Sequence, residues 1–561
     1  MTSTDDYSDF VKSVQRNLEE GNTVHALTIF TDNKNSVEVQ RNSWDLIPLI
    51  CKYLTNKYET EHIEVFKCCE KLLSIVSEQS NPEESLLQFI EEIEESNDDT
   101  KFIALLKPLP KVFSRIPLKR LNSLAWCLNA IEVYLKKIEP PKAVNLVGKE
   151  KLLMDTDENS VRITTLYLDM LPFYDMFLRE VKVNKNEQRV GVIQKFMIQL
   201  LGDPLVYLDM EVFDGIKSRA RTIAEHIIEK LFQTVLDPVK FLKMTPNEKD
   251  GDMYVPSLLG VAVMFYLVYS EFLQVGNYPK VYASDYFFQN SLYLVTELLK
   301  KNNQITVEKG LDLAAALLKH VEGMNLSYLM LDSPDHSEFC KTLSNVIVYN
   351  ELELIRKKAI EVYKKYLWCF DKHGVYLLVY NIVTNETHSG LIGFTITQYK
   401  EVLFQQFANE TEISEYYRGE NLFKLLKLVC CLKKGPETDL LEVYEQILSS
   451  LNFLRFLALQ DKENRTNIWN YFPHLEESYL SPLRKGIELS RAHYELKVKE
   501  VKEEKPEMSG SKETEMVVTV SGQDLPHMET SEKLQLLHCS LNRFDVMDSV
   551  LSRVIELTDK K

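Results

Sequence analysis

The chain has 561 residues and a formal net charge of −17. One hydrophobic core stops growing at about 250–300 residues, so a chain of this length must divide into domains or form an extended stack. The negative charge disfavours a protein that grips nucleic-acid phosphates or docks on an anionic membrane, because both need clustered Lys and Arg. Only 18 residues are Gly, which argues against an all-β or Gly-rich nucleotide-binding architecture.

Helical periodicity runs through almost the whole chain, from the segment carrying Trp44 to the last segment, which ends near Val554. Apolar residues recur there every three or four positions, the spacing of one buried helix face. The pattern predicts helices at residues 121–135, 161–181, 192–201, 220–236, 292–299, 311–320, 353–368, 375–383 and 438–460. Many helices with short polar joints and no fixed repeat period predict an all-α fold, an irregular HEAT/armadillo-like helical-repeat solenoid.

Three polar stretches interrupt this pattern. Residues 184–189 and 245–252 are predicted loops, and the highly charged stretch from Lys497 cannot offset its ordering entropy by burial. The β-prone run at residues 517–520 and the turn signal Ser521-Gly522 follow it. We therefore predict an N-terminal helical region at 1–330, a C-terminal helical region at 331–496, a disordered linker at 497–516, and an extended segment plus terminal helix at 517–561.

The cysteines and the most apolar run bear on the compartment. Nine scattered Cys make no disulfide framework and fit buried thiols in a reducing compartment. The run Leu258–Val275 contains Glu271 and predicts a buried core helix rather than a membrane span. The N-terminal residues are acidic and polar, unlike a signal peptide. These features lead us to expect a cytoplasmic protein, with the nucleus as a second location.

No motif in the sequence points to catalysis, a metal or a cofactor. There is no phosphate-binding loop, dinucleotide fingerprint, nucleophile elbow or Cys-x-x-Cys pair, so we predict a protein that is not an enzyme and needs no cofactor. Gly390 and Gly393 suggest a loop that opens a helix. Local basic groups, such as the one around Lys107, Lys111 and Arg115, have no interleaved aromatics, which favours a solvated face over a nucleic-acid site.

Four segments, however, carry a specific resemblance. Gly435–Leu457, Leu480–Glu495 and Val518–Leu557, in this order, closely resemble the glomulin family, and Asn42–Leu54 resembles it near the N-terminus. Between these segments the chain resembles the family mainly in its pattern of hydrophobic residues. The resemblance runs from end to end but is specific chiefly from about Gly435 onward.

The resemblance implies a HEAT-like solenoid that inhibits cullin-RING ubiquitin ligases. In that family the C-terminal region binds the RING domain of the RING-box subunit, and through it a cullin, and covers the face that recruits the ubiquitin-conjugating enzyme. FK-binding immunophilins are further expected partners, and we expect a monomer that binds neither nucleic acid nor membrane. Two alternatives stay open. One is a general solenoid adaptor, binding an immunophilin or a transcription factor without inhibition, and the other is an enzyme with residues converging from distant positions.

The candidate contacts lie in the family-like segments, at positions unsuited to a purely buried role. A few aromatic, Arg or apolar anchors carry most of the energy of an interface. The candidates are Asn452 and Arg455 on one helix; Arg491, His493 and Tyr494 at the end of another; Leu525, Pro526, His527 and Met528 after the extended run; and Gln535 and His538 on the last helix. Tyr494 and Leu525 could equally be core residues, and Arg455 could form a structural ion pair.

Overall fold

The computed structural model describes residues 8–116, 120–142, 146–183, 187–242, 244, 255–274, 281–503, 519–520, 523–524 and 530–559. The chain divides into two compact units, an N-terminal unit that ends at His320 and a C-terminal unit that begins at Val321. The sequence placed the start of the second region at residue 331, about ten residues further along.

The N-terminal unit is built from sixteen described α-helices and one two-residue β-ladder. The helices are α1 (Asp9–Glu19), α2 (Thr23–Thr31), α3 (Ser36–Arg41), α4 (Ser43–Cys51), α5 (Asn56–Glu61), α6 (Ile63–Gln79), α7 (Pro82–Glu95), α8 (Asp99–Leu106), α9 (Leu109–Ser114), α10 (Arg120–Lys136), α11 (Glu158–Val183), α12 (Glu187–Gln199), α13 (Arg219–Phe232), α14 (Leu258–Phe265), α15 (Ser284–Leu299) and α16 (Gln304–His320). Strands β1 (Val212–Phe213) and β2 (Ile216–Lys217) pair antiparallel.

The C-terminal unit contains nine described α-helices and a second short ladder. The helices are α17 (Pro334–Tyr349), α18 (Glu353–Trp368), α19 (Lys372–Asn385), α20 (Ser389–Asn409), α21 (Gly419–Val429), α22 (Tyr444–Gln460), α23 (Phe472–Leu475), α24 (Ser481–Glu503) and α25 (Thr530–Asp559). Strands β3 (Thr519–Val520) and β4 (Gln523–Asp524) pair antiparallel.

Local sequence signals explain where many of these helices begin. At α7 the side chain of Asn81 accepts a hydrogen bond from the backbone N–H of Glu83 (3.0 Å), and Pro82 occupies the first helical position. An Asn cap satisfies an otherwise unpaired N–H, and proline has no N–H to leave unpaired there. The negative charges of Glu83 and Glu84 in the first turn also stabilise the helix, because they lie at the positive end of its dipole.

Helices α4, α7 and α10 form a parallel layer in the N-terminal unit. Asn56, after α4, donates its backbone N–H to Asp98 Oδ2 (2.9 Å), just after α7. Lys137, after α10, donates from Nζ to Glu94 O (2.7 Å) near the end of α7. Because the C-terminal ends of neighbouring helices meet, the three helices run in the same direction. On one side of this layer, α6 packs against α4 and α9 packs against α7. Such stacking of unequal helices is the irregular all-α helical-repeat fold that the sequence predicts.

The most apolar run of the chain lies inside this unit. α14 continues through a π-helical turn at Tyr266–Ser270, and Ala262, Val263 and Leu267 are fully buried. The run is therefore a core helix, as predicted. Among the described residues, no helix has both the length and the apolar character needed to cross a membrane.

Many predicted boundaries differ from the structure; the helix predicted at 292–299, for example, is longer and begins at Ser284. α22 begins at Tyr444 rather than at residue 438, and residues 187–189, expected in a loop, open α12. The linker predicted from Lys497 is wrong as far as Glu503, because α24 continues to that residue. The rest of the predicted linker, residues 504–516, and the predicted loop at residues 245–252 lie outside the described residues. The predicted extended run is confirmed at Thr519–Val520, which form β3.

The basic group at Lys107, Lys111 and Arg115 packs against α6. Lys107 Nζ donates to Glu70 Oε1 (2.5 Å), and Lys111 Nζ bonds Ser74 Oγ (2.7 Å) and pairs with Glu78. Arg115 donates to the backbone carbonyls of Ser77 (2.8 Å) and Ser80 (2.6 Å). These cations therefore hold α8 and α9 against the end of α6.

We expect Arg115→Ala to lower the free energy of unfolding by about 2 kcal/mol, because two carbonyls lose a charged donor. Lys111→Ala should cost less than about 1 kcal/mol, because exposed ion pairs contribute little. Urea unfolding of the two variants tests this order. A larger loss at Lys111 than at Arg115 would contradict the role given to these side chains.

Candidate partner-binding surface

A glycine near the start of α20 allows this helix to pack closely against α22. Both Gly390 and Gly393 lie within α20, which begins at Ser389, so the predicted loop is wrong. A Cβ at position 393 would lie 2.8 Å from Glu445 O and 2.9 Å from Ser449 Oγ, both on α22. Gly393 therefore permits a close backbone approach, and it fixes the position of α22 relative to α20.

The exposed side of these two helices carries aromatic and arginine side chains. Phe404 is 46% exposed and Leu459 is 44% exposed, and the ring of Phe456 lies 6.2 Å from that of Phe404 between centroids. Arg455 is exposed, and it has no polar partner among the described residues. We call Phe404, Arg455, Phe456 and Leu459 the α20–α22 patch.

Asn452, the other candidate on α22, is half-buried. It lies one turn before Phe456, so it borders the α20–α22 patch. The structure therefore brings the two predicted residues of α22 to one surface. It also adds three apolar side chains that the sequence did not single out.

A buried aspartate organises the turn that follows α22. Asp461 is fully buried, and its carboxylate accepts from the backbone N–H of Arg465 (2.6 Å) and of Thr466 (2.8 Å). Arg465 then donates to Glu410 O (2.6 Å) at the end of α20, and its guanidinium lies 5.3 Å from the ring centroid of Phe407. This turn ties the ends of α20 and α22 together beside the patch, so the patch rests on a fixed support.

α24 and α25 pack on each other as a helical hairpin. Where α24 ends and α25 begins, Val498, Val501 and Leu537 form a small buried cluster, against which Tyr494, Leu534 and Leu541 are packed. The same helix α25 packs on α22, where the guanidinium of Arg543 lies 5.3 Å from the ring centroid of Tyr444. The hairpin is thereby fixed to the helix that carries Arg455.

Two predicted contact residues hold the hairpin together. Arg491 donates to Asp545 Oδ1 (2.9 Å) and Asp548 Oδ2 (3.4 Å) on α25. Tyr494 is half-buried, with its ring centroid 5.4 Å from that of Phe544; burial raises the pKa of its hydroxyl. These partners give Arg491 and Tyr494 a structural role within the hairpin.

The remaining described candidates of the hairpin face solvent. His493 is exposed between Leu489, 58% exposed, and Leu496, 57% exposed, so it belongs to an apolar solvent-facing stripe of α24. Gln535 and His538 are exposed on α25. No described contact brings these three residues to the α20–α22 patch. Leu525, Pro526, His527 and Met528 lie outside the described residues.

The titratable groups that converge elsewhere are engaged in structural contacts. In the N-terminal unit Lys309 donates to the carbonyls of Val206 and Leu208 (both 2.6 Å), and Lys151 pairs with Glu308. Burial lowers the pKa of Lys309 to about 7 and raises that of nearby Asp209 to about 6. Perturbed pKa values can mark a functional site. Here, however, Lys309 is 2% exposed, which leaves a substrate no direct access to its amine.

A metal site is absent from the part of the chain that the structure describes, and most of the thiols there are buried. No group of three or more His, Cys, Asp or Glu side chains there could hold a metal ion. Seven of the nine cysteines are buried, as expected from the sequence, and all nine are free thiols. Burial raises the pKa of Cys127 to about 12, so this thiol stays protonated and unreactive.

A cavity of the N-terminal unit measures about 830 Å³ and is open to solvent. Its polar lining consists mainly of amide side chains, with one carboxylate, Glu187, and one amine, Lys240. Lys240 donates to Gln194 Oε1 (2.6 Å). The described lining has no His or Cys, and its one hydroxyl group, that of Thr234, donates to the backbone carbonyl of Leu231 (2.9 Å).

The family of this chain follows from its sequence. The profile of the family described as "Uncharacterised protein family, YAP/Alf4/glomulin" matches residues 2–213 and 286–538. The chain belongs to this family. The glomulin-family match covers α20, α22 and α24 and extends along α25 as far as His538, so it includes every candidate contact residue.

Individual members of the YAP/Alf4/glomulin family match along almost the entire chain. The chain is 28% identical to human glomulin, over 99% of its own length and 94% of that protein. Mouse glomulin is 27% identical over the same shares. Among solved structures, a "Circular tandem repeat protein with novel repeat topology and enhanced subunit contact surfaces" covers 98% of this chain and 93% of its own, at 11% identity and a TM-score of 0.22.

Proposed function

We propose that this chain is a non-catalytic inhibitor that binds the RING-box subunit of cullin-RING ubiquitin ligases, and through it a cullin. The bound protein masks the face of the RING domain at which the ubiquitin-conjugating enzyme docks. Membership of the YAP/Alf4/glomulin family supports this proposal. The observation that carries it is the α20–α22 patch, where an exposed Arg455 stands beside exposed Phe404 and Leu459.

The composition of the patch suits a competitor of this kind. Interfaces draw most of their free energy from a few aromatic and arginine side chains surrounded by apolar contacts. Because α22 is held by Gly393 and by the Asp461 turn, its side chains need little ordering on binding. Blocking a docking face requires steric overlap and sufficient affinity, and the C-terminal hairpin, which packs on α22, adds to the bulk of the bound protein.

We expect Arg455→Ala to weaken binding to a purified RING-box–cullin complex at least tenfold and to relieve inhibition of ubiquitin transfer in the same titration. Arg484→Ala, at an exposed arginine of α24, is the matched control and should behave as wild type. Deletion of Leu525–Met528 removes four further candidates and should likewise weaken binding and relieve inhibition. Wild-type protein that leaves ubiquitin transfer unchanged at saturating concentration would overturn the inhibitory proposal.

The same titration separates inhibition from a general adaptor role. An adaptor for an immunophilin or a transcription factor would bind its partner without slowing ubiquitin transfer. Binding of the RING-box complex with no loss of transfer would favour this alternative. Loss of both binding and inhibition in Arg455→Ala, but not in Arg484→Ala, favours the inhibitor.

A further inference from the structure

The solvent side of the α4–α7–α10 layer carries large apolar side chains that the N-terminal unit leaves uncovered. Trp44 on α4 is 46% exposed, and Trp126 and Val133 on α10 are 49% and 48% exposed. Isolated exposed apolar residues are ordinary on protein surfaces. Two tryptophans on one layer are different, because Trp is the residue type most concentrated in the energetic centres of protein interfaces.

The geometry of the layer brings these side chains to one level. Lys137 meets Glu94 at the ends of α10 and α7, and both helices rise about 1.5 Å per residue. Counting back from this contact places Trp126 beside Glu83 and Glu84, in the first turn of α7. Trp44 lies near the start of α4, on the other side of α7. With helix axes about 8–10 Å apart, the two indoles are separated by roughly 20 Å.

Exposed residues of α7 fill the space between the tryptophans. Glu84 and Glu91 are exposed, and Leu87 between them is half-exposed. Together α4, α7 and α10 contain eight acidic residues and two basic ones. Of these acids, Glu92 pairs with Lys101 (2.6 Å) and Glu132 with Lys136 (2.5 Å), which leaves a strongly negative surface around the indoles.

A polar side chain completes the surface next to Trp126. Asn129, one turn further along α10, is exposed and has no hydrogen-bond partner among the described residues. An amide group offers both a donor and an acceptor, which is what the backbone of an extended peptide requires. The surface thus combines flat apolar platforms, negative charge and one amide able to bind a main chain.

We propose that this face, formed by Trp44, Glu84, Glu91, Trp126 and Asn129, binds an extended basic peptide segment of a partner protein. The carboxylates attract Lys and Arg side chains, whose charged ends and methylene stems pack on the indole rings. An extended chain advances about 3.3 Å per residue, so roughly six residues connect the two tryptophans. The surface lies in the N-terminal unit, and its occupant is independent of the RING-box proposal.

The negative charge of this face argues against single-stranded nucleic acid as its ligand. Single-stranded nucleic acids also stack on exposed rings, but they require a positively charged groove for their phosphates. With Glu84 and Glu91 beside Trp126, a phosphate backbone would be repelled. A cationic peptide gains from the same charges, and its affinity should fall as salt screens them.

The test measures fluorescence polarisation with the full-length protein and a fluorescein-labelled octapeptide of alternating Lys and Ser. We expect saturable binding at low salt that weakens at least tenfold when Trp126 is replaced by Ala. We expect the same loss when Glu84 and Glu91 are both replaced by Lys. Glu361→Lys, at an exposed position of α18 in the C-terminal unit, is the matched charge control and should bind as wild type.

Equal affinity for the octapeptide with Glu in place of Lys would overturn the proposal. So would binding that survives both Trp126→Ala and the double charge reversal. Circular dichroism of each variant confirms that the helices are intact. Binding of the RING-box complex by the Trp126→Ala variant reports separately on the inhibitory function, since that variant leaves the α20–α22 patch untouched.

Discussion

Replacing Gly393 with valine should lower the free energy of unfolding of the C-terminal unit by about 3 kcal/mol. The Cβ atom of the new side chain would lie only 2.8 Å from Glu445 O and 2.9 Å from Ser449 Oγ, and the two methyl groups of valine need still more space. A backbone carbonyl cannot rotate away, so α22 has to move. Urea unfolding combined with hydrogen exchange of peptides from α20 and α22 measures the loss where it occurs.

Gly390→Val is the matched control, because it makes the same change in the same helix three residues earlier. A Cβ at position 390 would meet only the ring of His388, an exposed side chain, with its nearest atom at 3.0 Å. We expect a change below about 1 kcal/mol for this variant. Equal losses in the two variants would contradict the close packing of α20 on α22. The shift of α22 in Gly393→Val should also weaken RING-box binding, because it displaces Arg455.

The helices were predictable wherever an apolar stripe ends at clear polar residues. α18 was predicted at residues 353–368, and the structure has it at Glu353–Trp368. α22 was predicted from residue 438, and the next residue, Asp439, is of a type that often caps helices. Asp439 Oδ1 does accept from the backbone N–H of Leu441 (3.0 Å), but it caps a turn, and the helix begins only at Tyr444. Sequence reveals the capping group but not which turn it closes.

The candidate surface was less predictable, because exposure depends on which helices become neighbours. Arg491 and Tyr494 looked like contact residues. Their partners Asp548 and Phe544 lie about fifty residues further along, on α25, and sequence spacing cannot show that they meet. Phe404 fits the apolar stripe of its helix, so the pattern gives no reason to expect it at the surface. The exposure of the Phe404 ring becomes visible only once α20 is packed beside α22, because no other helix among the described residues covers that ring.

The two exposed faces suggest a division of roles between the units. The α20–α22 patch is compact and aromatic, with a single arginine, which suits a folded domain that docks as a rigid body. The α4–α7–α10 face is longer and acidic, with its two tryptophans set apart, which suits an extended chain. Because the two surfaces lie on different units, a substitution in one surface leaves the side chains of the other unchanged, so the two proposals can be tested separately.

His336 should make the C-terminal unit sensitive to mild acid. This residue is 1% exposed in α17, and its Nδ1 forms a 2.7 Å hydrogen bond with the hydroxyl of Tyr366. Burial lowers the pKa of His336 to about 4, although nearby Asp335 acts in the opposite direction. The unfolded chain, with an ordinary histidine pKa of about 6.5, therefore binds more protons between these two values. The neutral ring therefore makes its full contribution to the free energy of unfolding above about pH 6.5. This contribution, roughly 3 kcal/mol in total, is lost as the pH falls towards 4.

The measurement is the free energy of unfolding of wild type and His336→Gln in urea between pH 7 and pH 4. Carboxylates also protonate in this range, so the difference between the two proteins, rather than either slope, isolates His336. The variant should be less stable at pH 7, because Tyr366 loses a fitted partner, but its stability should decline less steeply below pH 6.5. His474→Gln, at an exposed histidine, controls for the removal of one imidazole. Parallel curves for wild type and His336→Gln would contradict this prediction, because they would mean that His336 binds its proton equally well in the folded and the unfolded protein.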